Sequence, residues 1–146
     1  MAYVTYTILN AAAHLEAGLV PDWQSVSGTP GGNSNRIAYF RYDACRAPWS
    51  LALDYLWNGN PQSKEWCTKI SNWANEVGAA NIKDGYNLDG TTNSDGNHNS
   101  AFVAGFAVAA MCNSKAIADT FETEIFSPRL GDSNWFIMST GYLNIY

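Results

Sequence analysis

The chain has 146 residues, the length of one ordinary domain that can bury a core without disulfide bonds. Hydrophobic residues make up 47% and charged residues 14% of it, against about 25% charged in a typical domain, which excludes a disordered tail or a coiled coil. The net charge of −5 and the isoelectric point near 4.7 argue against a nucleic acid or a membrane as partner, because phosphates require a clustered basic surface. A neutral ligand fits this composition better.

Aromatic residues account for 14% of the chain and include six Trp and eight Tyr. Such rings fill hydrophobic cores, because each buries a large area. A high content of aromatic residues also favours a sugar-binding cleft, since the C–H faces of pyranose rings pack on aromatic rings while the sugar hydroxyls need polar partners. Composition alone leaves both interpretations open.

Three cysteines, Cys45, Cys67 and Cys112, form no C-x-x-C pair. Their spacing and odd number predict neither a zinc site nor a disulfide framework, so buried, unpaired thiols are expected. The first residues lack the basic segment of a signal peptide, and no run of roughly 18 apolar residues could span a bilayer. A soluble chain without its own export signal is therefore expected.

Apolar residues recur at helical spacing through most of the chain and predict six helices and no strand. Gly18 stands where the first helix should end, and Pro48 suits the first turn of the second. The segments 19–36 and 81–99 are rich in turn-forming residues and predict long loops, which are commonly functional in compact domains. The predicted helices cover 2–17, 48–58, 63–77, 100–112, 115–126 and about 132–146.

Both predicted terminal helices lack ordinary end signals. The first has almost no capping residue ahead of it, and the last is still apolar at Tyr146. Six helices joined by alternately long and short loops, cut within an element at both ends, indicate part of a larger helical toroid. Alternatively, another chain supplies the missing half.

The sharpest local signal is the loop-to-helix junction 39–49, YFRYDACRAPW, which places the carboxylate of Asp43 near two arginines and several aromatic rings. Such a carboxylate has an ordinary structural role, in which Asp43 caps the helix and pairs with Arg46. Its other interpretation is a catalytic group, and composition does not separate the two.

This junction resembles the YDA-x-R-x-PW segment of glycoside hydrolase family 8, a family of inverting endoglucanases, cellulases, chitosanases and xylanases. Further agreement lies in Gly18–Trp23, Ala52–Trp57 and Asn99–Val103. The resemblance implies an all-α fold in which helical hairpins form part, about half, of an (α/α)6 toroid. Residues 1–146 would then be one partial catalytic domain, truncated at both ends. The implied activity is endo-acting hydrolysis of β-1,4-glucan, a large substrate that indicates secretion.

The resemblance also implies roles for individual residues. Asp43 acts as the general base that deprotonates the attacking water, the Tyr42 hydroxyl helps to hold that water, and Arg46 fixes the carboxylate in its ionised form. Trp135, Trp23 and Trp49 are candidate platforms for stacking sugar rings, although each could equally pack in the core.

Inverting hydrolysis needs a second carboxyl group, roughly 6.5–9.5 Å from the base, to protonate the leaving oxygen. No glutamate of this chain stands in the context in which the family carries that acid, and all are expected to be ordinary solvated residues. Activity would then require another subunit or a missing N-terminal half. The exposed seams of a half-toroid also favour a homo-oligomer. These glutamates are Glu16, Glu65, Glu76, Glu122 and Glu124.

The acidic loop residues Asp84, Asn87, Asp89 and Asp95 do not follow the EF-hand spacing, so ordinary turn chemistry is expected in place of a metal site. His14 and His98 have no partner at ligand spacing and are expected to be structural; no cofactor is expected. Two other functions stay open. One is a non-catalytic half-barrel, carbohydrate-binding or structural, that lacks the catalytic acid, and the other is a helical interaction module whose aromatic residues all lie in the core.

Overall fold

The structure, a computed structural model, describes residues 2–32, 37–93 and 96–126, with side chains from Tyr6 onward. These residues form five α-helices and contain isolated bridges but no strand, which confirms the predicted all-α fold class. The sixth predicted helix lies outside the described residues. The helices are α1 (Ala2–Ala12), α2 (Ala47–Asn58), α3 (Pro61–Val77), α4 (Ser100–Met111) and α5 (Lys115–Ile125), with short 3-10 helices at Ala44–Arg46 and Ala79–Asn81.

The first helix ends at Ala12, five residues earlier than predicted. The apolar spacing continues beyond that point, but the backbone N–H of Ala17 donates to the imidazole Nδ1 of His14 at 3.2 Å and closes a separate turn. Gly18 follows with φ of 69°, the left-handed conformation that glycine adopts readily. The prediction misplaced this end because a side-chain hydrogen bond competes with the helix.

Helix α4 is the centre of the fold, and every residue from Ser100 to Ala110 is buried. Of the two residues that the sequence offers as its N-cap, Asn99 and Ser100, Asn99 caps it by accepting a hydrogen bond from the N–H of Ala101 at 2.8 Å. Its small residues allow close packing by α2, α3 and α5. At Gly105, a Cβ atom would lie only 2.8 Å from the carbonyl oxygen of Cys45, so the 3-10 helix Ala44–Arg46 touches the backbone of α4.

An aromatic cluster attaches the two long loops to this central helix. Phe40 stacks on Phe106 at 5.6 Å between ring centroids, and Trp73 meets Tyr86 edge-on at 4.9 Å. The loop segments also pair directly, because the backbones of Phe40 and Tyr86 exchange hydrogen bonds of 3.0 and 3.1 Å. The two loop segments are therefore held in one register against α4.

The buried side chains include the three cysteines and one glutamate, Glu124. All three cysteines are free and buried, as predicted. Glu124 was predicted to be solvated, but it is buried and its Oε1 lies 3.0 Å from Nε2 of His98. The other imidazole nitrogen lies 2.8 Å from the carbonyl oxygen of Ile82, so His98 links the loop to α5. None of the described helices is long and apolar enough to cross a membrane.

Asp54 of α2 joins three elements through its carboxylate. It accepts hydrogen bonds from the Tyr6 hydroxyl of α1 and, at 2.6 Å, from the buried Ser63 hydroxyl of α3. The amides of Asn58 and Asn60 donate at 2.9 and 2.8 Å. The hydrogen bonds from Ser63, Tyr6 and Asn58 lower the pKa of Asp54 from 3.8 to about 2.

Replacing Asp54 by Ala is expected to lower the unfolding free energy by about 1–3 kcal/mol at neutral pH, because it leaves a buried hydroxyl without its acceptor. A carboxyl whose pKa is lowered by folding stabilises the protein above its unfolded pKa, here 3.8, and loses that effect as the pH falls toward about 2. Urea denaturation of both proteins should therefore show a difference that is constant near neutral pH and shrinks below about pH 4. A pH-independent difference would contradict this role.

Candidate active site

The turn that carries Asp43 is shaped by another aspartate, Asp22. One oxygen of Asp22 accepts hydrogen bonds of 2.8 Å from the backbone N–H groups of both Arg41 and Ala44. Ala44 is the first residue of the 3-10 helix, and a helix start leaves such a backbone donor without a partner inside the helix. Asp43 itself occupies the N-cap position of the 3-10 helix but makes no side-chain cap hydrogen bond. The capping role considered for Asp43 thus belongs to Asp22.

Asp43 presents its carboxylate to solvent, with 46% of the side chain exposed. The pairing of Asp43 with Arg46 that the structural interpretation predicted is observed, because Arg46, one turn further along the chain, forms an ion pair with the Asp43 carboxylate. The same Arg46 nitrogen donates to the carbonyl oxygen of Tyr42 at 3.3 Å, so this guanidinium is held over the turn. An accessible carboxylate with a fixed cation beside it can accept a proton from a bound water.

Tyr42 lies directly before Asp43 and is 47% exposed. Its hydroxyl donates to Oδ2 of Asp84 at 2.8 Å, and its ring packs edge-on against Phe102 of α4 at 5.2 Å between centroids. Partial burial and the hydrogen bond to Asp84 raise the pKa of the Tyr42 hydroxyl above 10.0. One edge of this side chain is therefore fixed by the protein while the rest faces solvent.

The two candidate tryptophans among the described residues, Trp23 and Trp49, lie in different surroundings. Trp23 lies on a loop segment and is 44% exposed. Its own backbone N–H donates to the carbonyl oxygen of Ile37 at 3.2 Å. Trp49 packs partly against the core from the first turn of α2, and its enclosed indole N–H has no hydrogen-bond partner among the described residues. Trp135 lies outside the described residues. An accessible ring for stacking is thus observed at Trp23.

The structure brings Tyr42, Asp43 and Arg46 together on one turn, as the motif predicted, and adds Asp22 and Asp84. Asp22 belongs to a segment that matched the family, but its sequence gives no sign of the backbone groups it binds. Asp84, for which ordinary turn chemistry was predicted, is buried with 5% exposure and also accepts the hydrogen bond from the Tyr42 hydroxyl. The turn chemistry predicted nearby is observed at Asp89, which accepts a hydrogen bond from the N–H of Thr91 at 2.9 Å.

Three of the exposed glutamates lie together, in a cavity that the Asp43 turn does not line. Glu16, Glu65 and Glu76 line a separate open cavity of about 700 Å³, whose lining residues do not include Tyr42, Asp43 or Arg46. Glu124 is occupied by His98. Among the described residues, no group of three or more His, Cys, Asp or Glu side chains is arranged to hold a metal ion.

Comparison with solved structures defines the class of this fold. A family 8 xylobiose complex from Teredinibacter turnerae matches with a TM-score of 0.79 and 25% identity, over 97% of this chain and 38% of that one. The apo β-1,3-1,4-glucanase from Paenibacillus sp. X4 matches with a TM-score of 0.77 and 27% identity, over 95% of this chain and 41% of that one. The described helices are therefore part of an (α/α)6 toroid.

Sequence comparison gives the family. Residues 1–133 match the glycosyl hydrolases family 8. Endoglucanase C of Ruminiclostridium cellulolyticum is 44% identical over 106 residues, which are 73% of this chain and 22% of that protein. The chain belongs to glycosyl hydrolases family 8 and spans about a fifth of the length of that relative.

Proposed function

We propose that the protein acts as an endo-acting, inverting glycoside hydrolase of β-1,4-glucan, with Asp43 as the general base. The observation that carries this proposal is that two aspartates have different roles in the turn. Asp22 binds the backbone of the turn, and the Asp43 carboxylate stays accessible beside Arg46. Family membership supports the reaction class. The endoglucanase name of a relative with 44% identity supports glucan over xylan, whose named complex comes from a structure with 25% identity.

In the proposed reaction, Asp43 takes a proton from water while the water oxygen attacks the anomeric carbon. The bond from that carbon to the glycosidic oxygen breaks, and the leaving oxygen receives a proton from an acid on the opposite side. The product has the inverted configuration. Trp23, and Trp135 beyond the described residues, are proposed to stack on sugar rings along the cleft.

The acid is proposed to come from the remainder of the toroid, supplied by an N-terminal half or by a second copy of the chain. Two observations support this. The solved relatives are longer than this chain, which covers 38% of the first of them. Leu56 and Trp57 on α2 are also 41% and 76% exposed, an apolar surface that a neighbouring helix would cover. Secretion follows from the size of the substrate and stands as part of the proposal.

A substrate whose leaving group needs no proton tests the base separately from the missing acid. In β-cellobiosyl fluoride, water attacks the anomeric carbon, fluoride leaves, and Asp43 receives the proton. The chain is expected to release fluoride faster than buffer alone, with α-cellobiose as the first product in NMR spectra, whereas carboxymethyl-cellulose is cleaved slowly or not at all. A β-configured first product would overturn the inverting mechanism.

Fluoride release no faster than in buffer alone would overturn the enzymatic proposal, and calorimetry then separates the two other functions. Binding of cello-oligosaccharides without turnover indicates the carbohydrate-binding half-barrel. Absence of both binding and turnover indicates the helical interaction module.

A further inference from the structure

The pairing of the two long loops places Asp84 opposite Tyr42. Phe40 and Tyr86 exchange both backbone hydrogen bonds, so they form a directly opposed antiparallel pair. Moving two residues along each segment keeps the same face and brings Tyr42 opposite Asp84. The 2.8 Å hydrogen bond between their side chains agrees with this register. Backbone pairing therefore sets this contact from 42 residues away in the sequence.

The direction of this hydrogen bond decides what Tyr42 can offer to a water molecule. A phenol has one hydrogen, and Tyr42 donates it to the Asp84 oxygen. Toward any other neighbour, the Tyr42 oxygen can then act only as an acceptor. A water bound there must direct one hydrogen at Tyr42, and if its other hydrogen faces Asp43, a lone pair remains for the anomeric carbon.

We propose that Asp84 is a positioning residue: it fixes the Tyr42 hydroxyl so that its oxygen accepts a hydrogen from the attacking water. This inference rests on the proposed role of Asp43 as the base. A purely structural role for Asp84 is the alternative, but other contacts already join the same parts. The Phe40–Tyr86 backbone pair holds the loops together, and Phe102 holds the Tyr42 ring. The Asp84 carboxylate provides, in addition, the acceptor that orients the Tyr42 hydrogen.

Three variants test this on β-cellobiosyl fluoride. Asp84→Leu keeps a side chain of similar size but removes the acceptor, and we expect kcat to fall by about 10- to 100-fold with little change in KM, since misplaced reactants lose rate on that scale. Asp84→Asn retains an acceptor oxygen and should keep most of the activity. Tyr42→Phe removes the oxygen that binds water and should lower kcat as much as Asp84→Leu does.

The double variant Asp84→Leu/Tyr42→Phe distinguishes positioning from structural support. If Asp84 acts through Tyr42, the double variant should be no slower than Tyr42→Phe alone, because the two changes remove one interaction. If the fold-losses in kcat of the two single variants multiply in the double variant, the inference is wrong. Full activity of Tyr42→Phe would also overturn it, and that test does not depend on whether Asp84→Leu folds. A wild-type protein that releases fluoride no faster than buffer alone would overturn the proposed function itself and this inference with it.

An NMR titration of 13C-labelled tyrosine checks the contact without any activity. Because the Asp84 hydrogen bond is one cause of the raised pKa of Tyr42, Asp84→Leu should lower that pKa toward 10.0. An unchanged titration would mean that the hydrogen bond is absent in solution, and the positioning role would be wrong.

Discussion

Replacing Asp43 by asparagine is expected to lower kcat for β-cellobiosyl fluoride by about 10²- to 10⁴-fold, because an amide cannot take the proton of the attacking water. The change keeps the shape of the side chain. Its effect on stability should be small, since an exposed ion pair such as that with Arg46 contributes about 0–1 kcal/mol. Fluoride release under saturating substrate, with a thermal melt of each protein, measures both quantities.

Asp119→Asn is the matched control for this change. Asp119 lies on the surface of α5, is exposed to the same extent as Asp43 at 46%, and pairs with Lys115 at 2.7 Å. The control removes the same charge and the same kind of ion pair, but lies on α5 and is not part of the Asp43 turn. It is expected to leave kcat unchanged. Equal losses in the two variants, or full activity in Asp43→Asn, would contradict the assignment of the base.

Azide separates loss of the base from loss of structure. In Asp43→Ala the carboxylate is absent and leaves space for a small anion near the anomeric carbon. Azide attacks without giving up a proton, so its nitrogen forms a bond to that carbon as fluoride leaves. We expect azide to restore turnover of Asp43→Ala and to yield α-cellobiosyl azide. A variant that azide cannot restore, although it still binds cellobiose, would indicate another role for Asp43.

The helices could be predicted from sequence where local signals determine them. The apolar spacing of α3 and the cap at Asn99 depend on residues within a few positions of each other. The predicted end of α1 was wrong because the observed end depends on a side-chain contact of His14. Apolar spacing carries no information about such a contact. The prediction that Glu124 is solvated was also wrong, since its burial depends on His98, 26 residues earlier in the sequence.

The candidate site likewise combines residues that local sequence predicts with residues that only the folded chain brings together. The family motif gave Tyr42, Asp43 and Arg46, which are neighbours in sequence and remain neighbours in the structure. Asp22 and Asp84 reach this turn from 19 and 42 residues away along the chain. Their places depend on how two loops pair, and loops rich in Gly, Ser and Asn have no hydrophobic pattern that fixes such a register.

A methyl group at Gly105 should destabilise the protein, although alanine is the better helix former. In the interior of a helix, Gly→Ala ordinarily adds about 1 kcal/mol of stability. Here the new Cβ would lie 2.8 Å from the carbonyl oxygen of Cys45, closer than real Cβ contacts occur. That oxygen belongs to the backbone and cannot move without the 3-10 helix. We expect Gly105→Ala to lower the unfolding free energy by about 1–3 kcal/mol in urea denaturation, and Gly105→Val to lower it further.

Glu65→Ala and Glu65→Gly provide the control for helix propensity. Glu65 is exposed within α3, so these two variants compare alanine with glycine where no neighbouring backbone interferes. Alanine should be the more stable of the two there and glycine the more stable at residue 105. If Gly105→Ala instead stabilises the protein, as the Glu65 pair would suggest, the close contact with Cys45 does not exist in solution.

The Gly105 variants also connect packing with the proposed chemistry. Cys45 lies in the 3-10 helix that directly follows Asp43, so a displacement of its carbonyl oxygen moves the turn that holds the carboxylate. A shift of about 1 Å in a reacting group can lower a rate by 10²-fold. We therefore expect Gly105→Ala to reduce fluoride release even at temperatures where it is fully folded. Unchanged kcat in a destabilised Gly105→Ala would show that the turn keeps its position independently of α4.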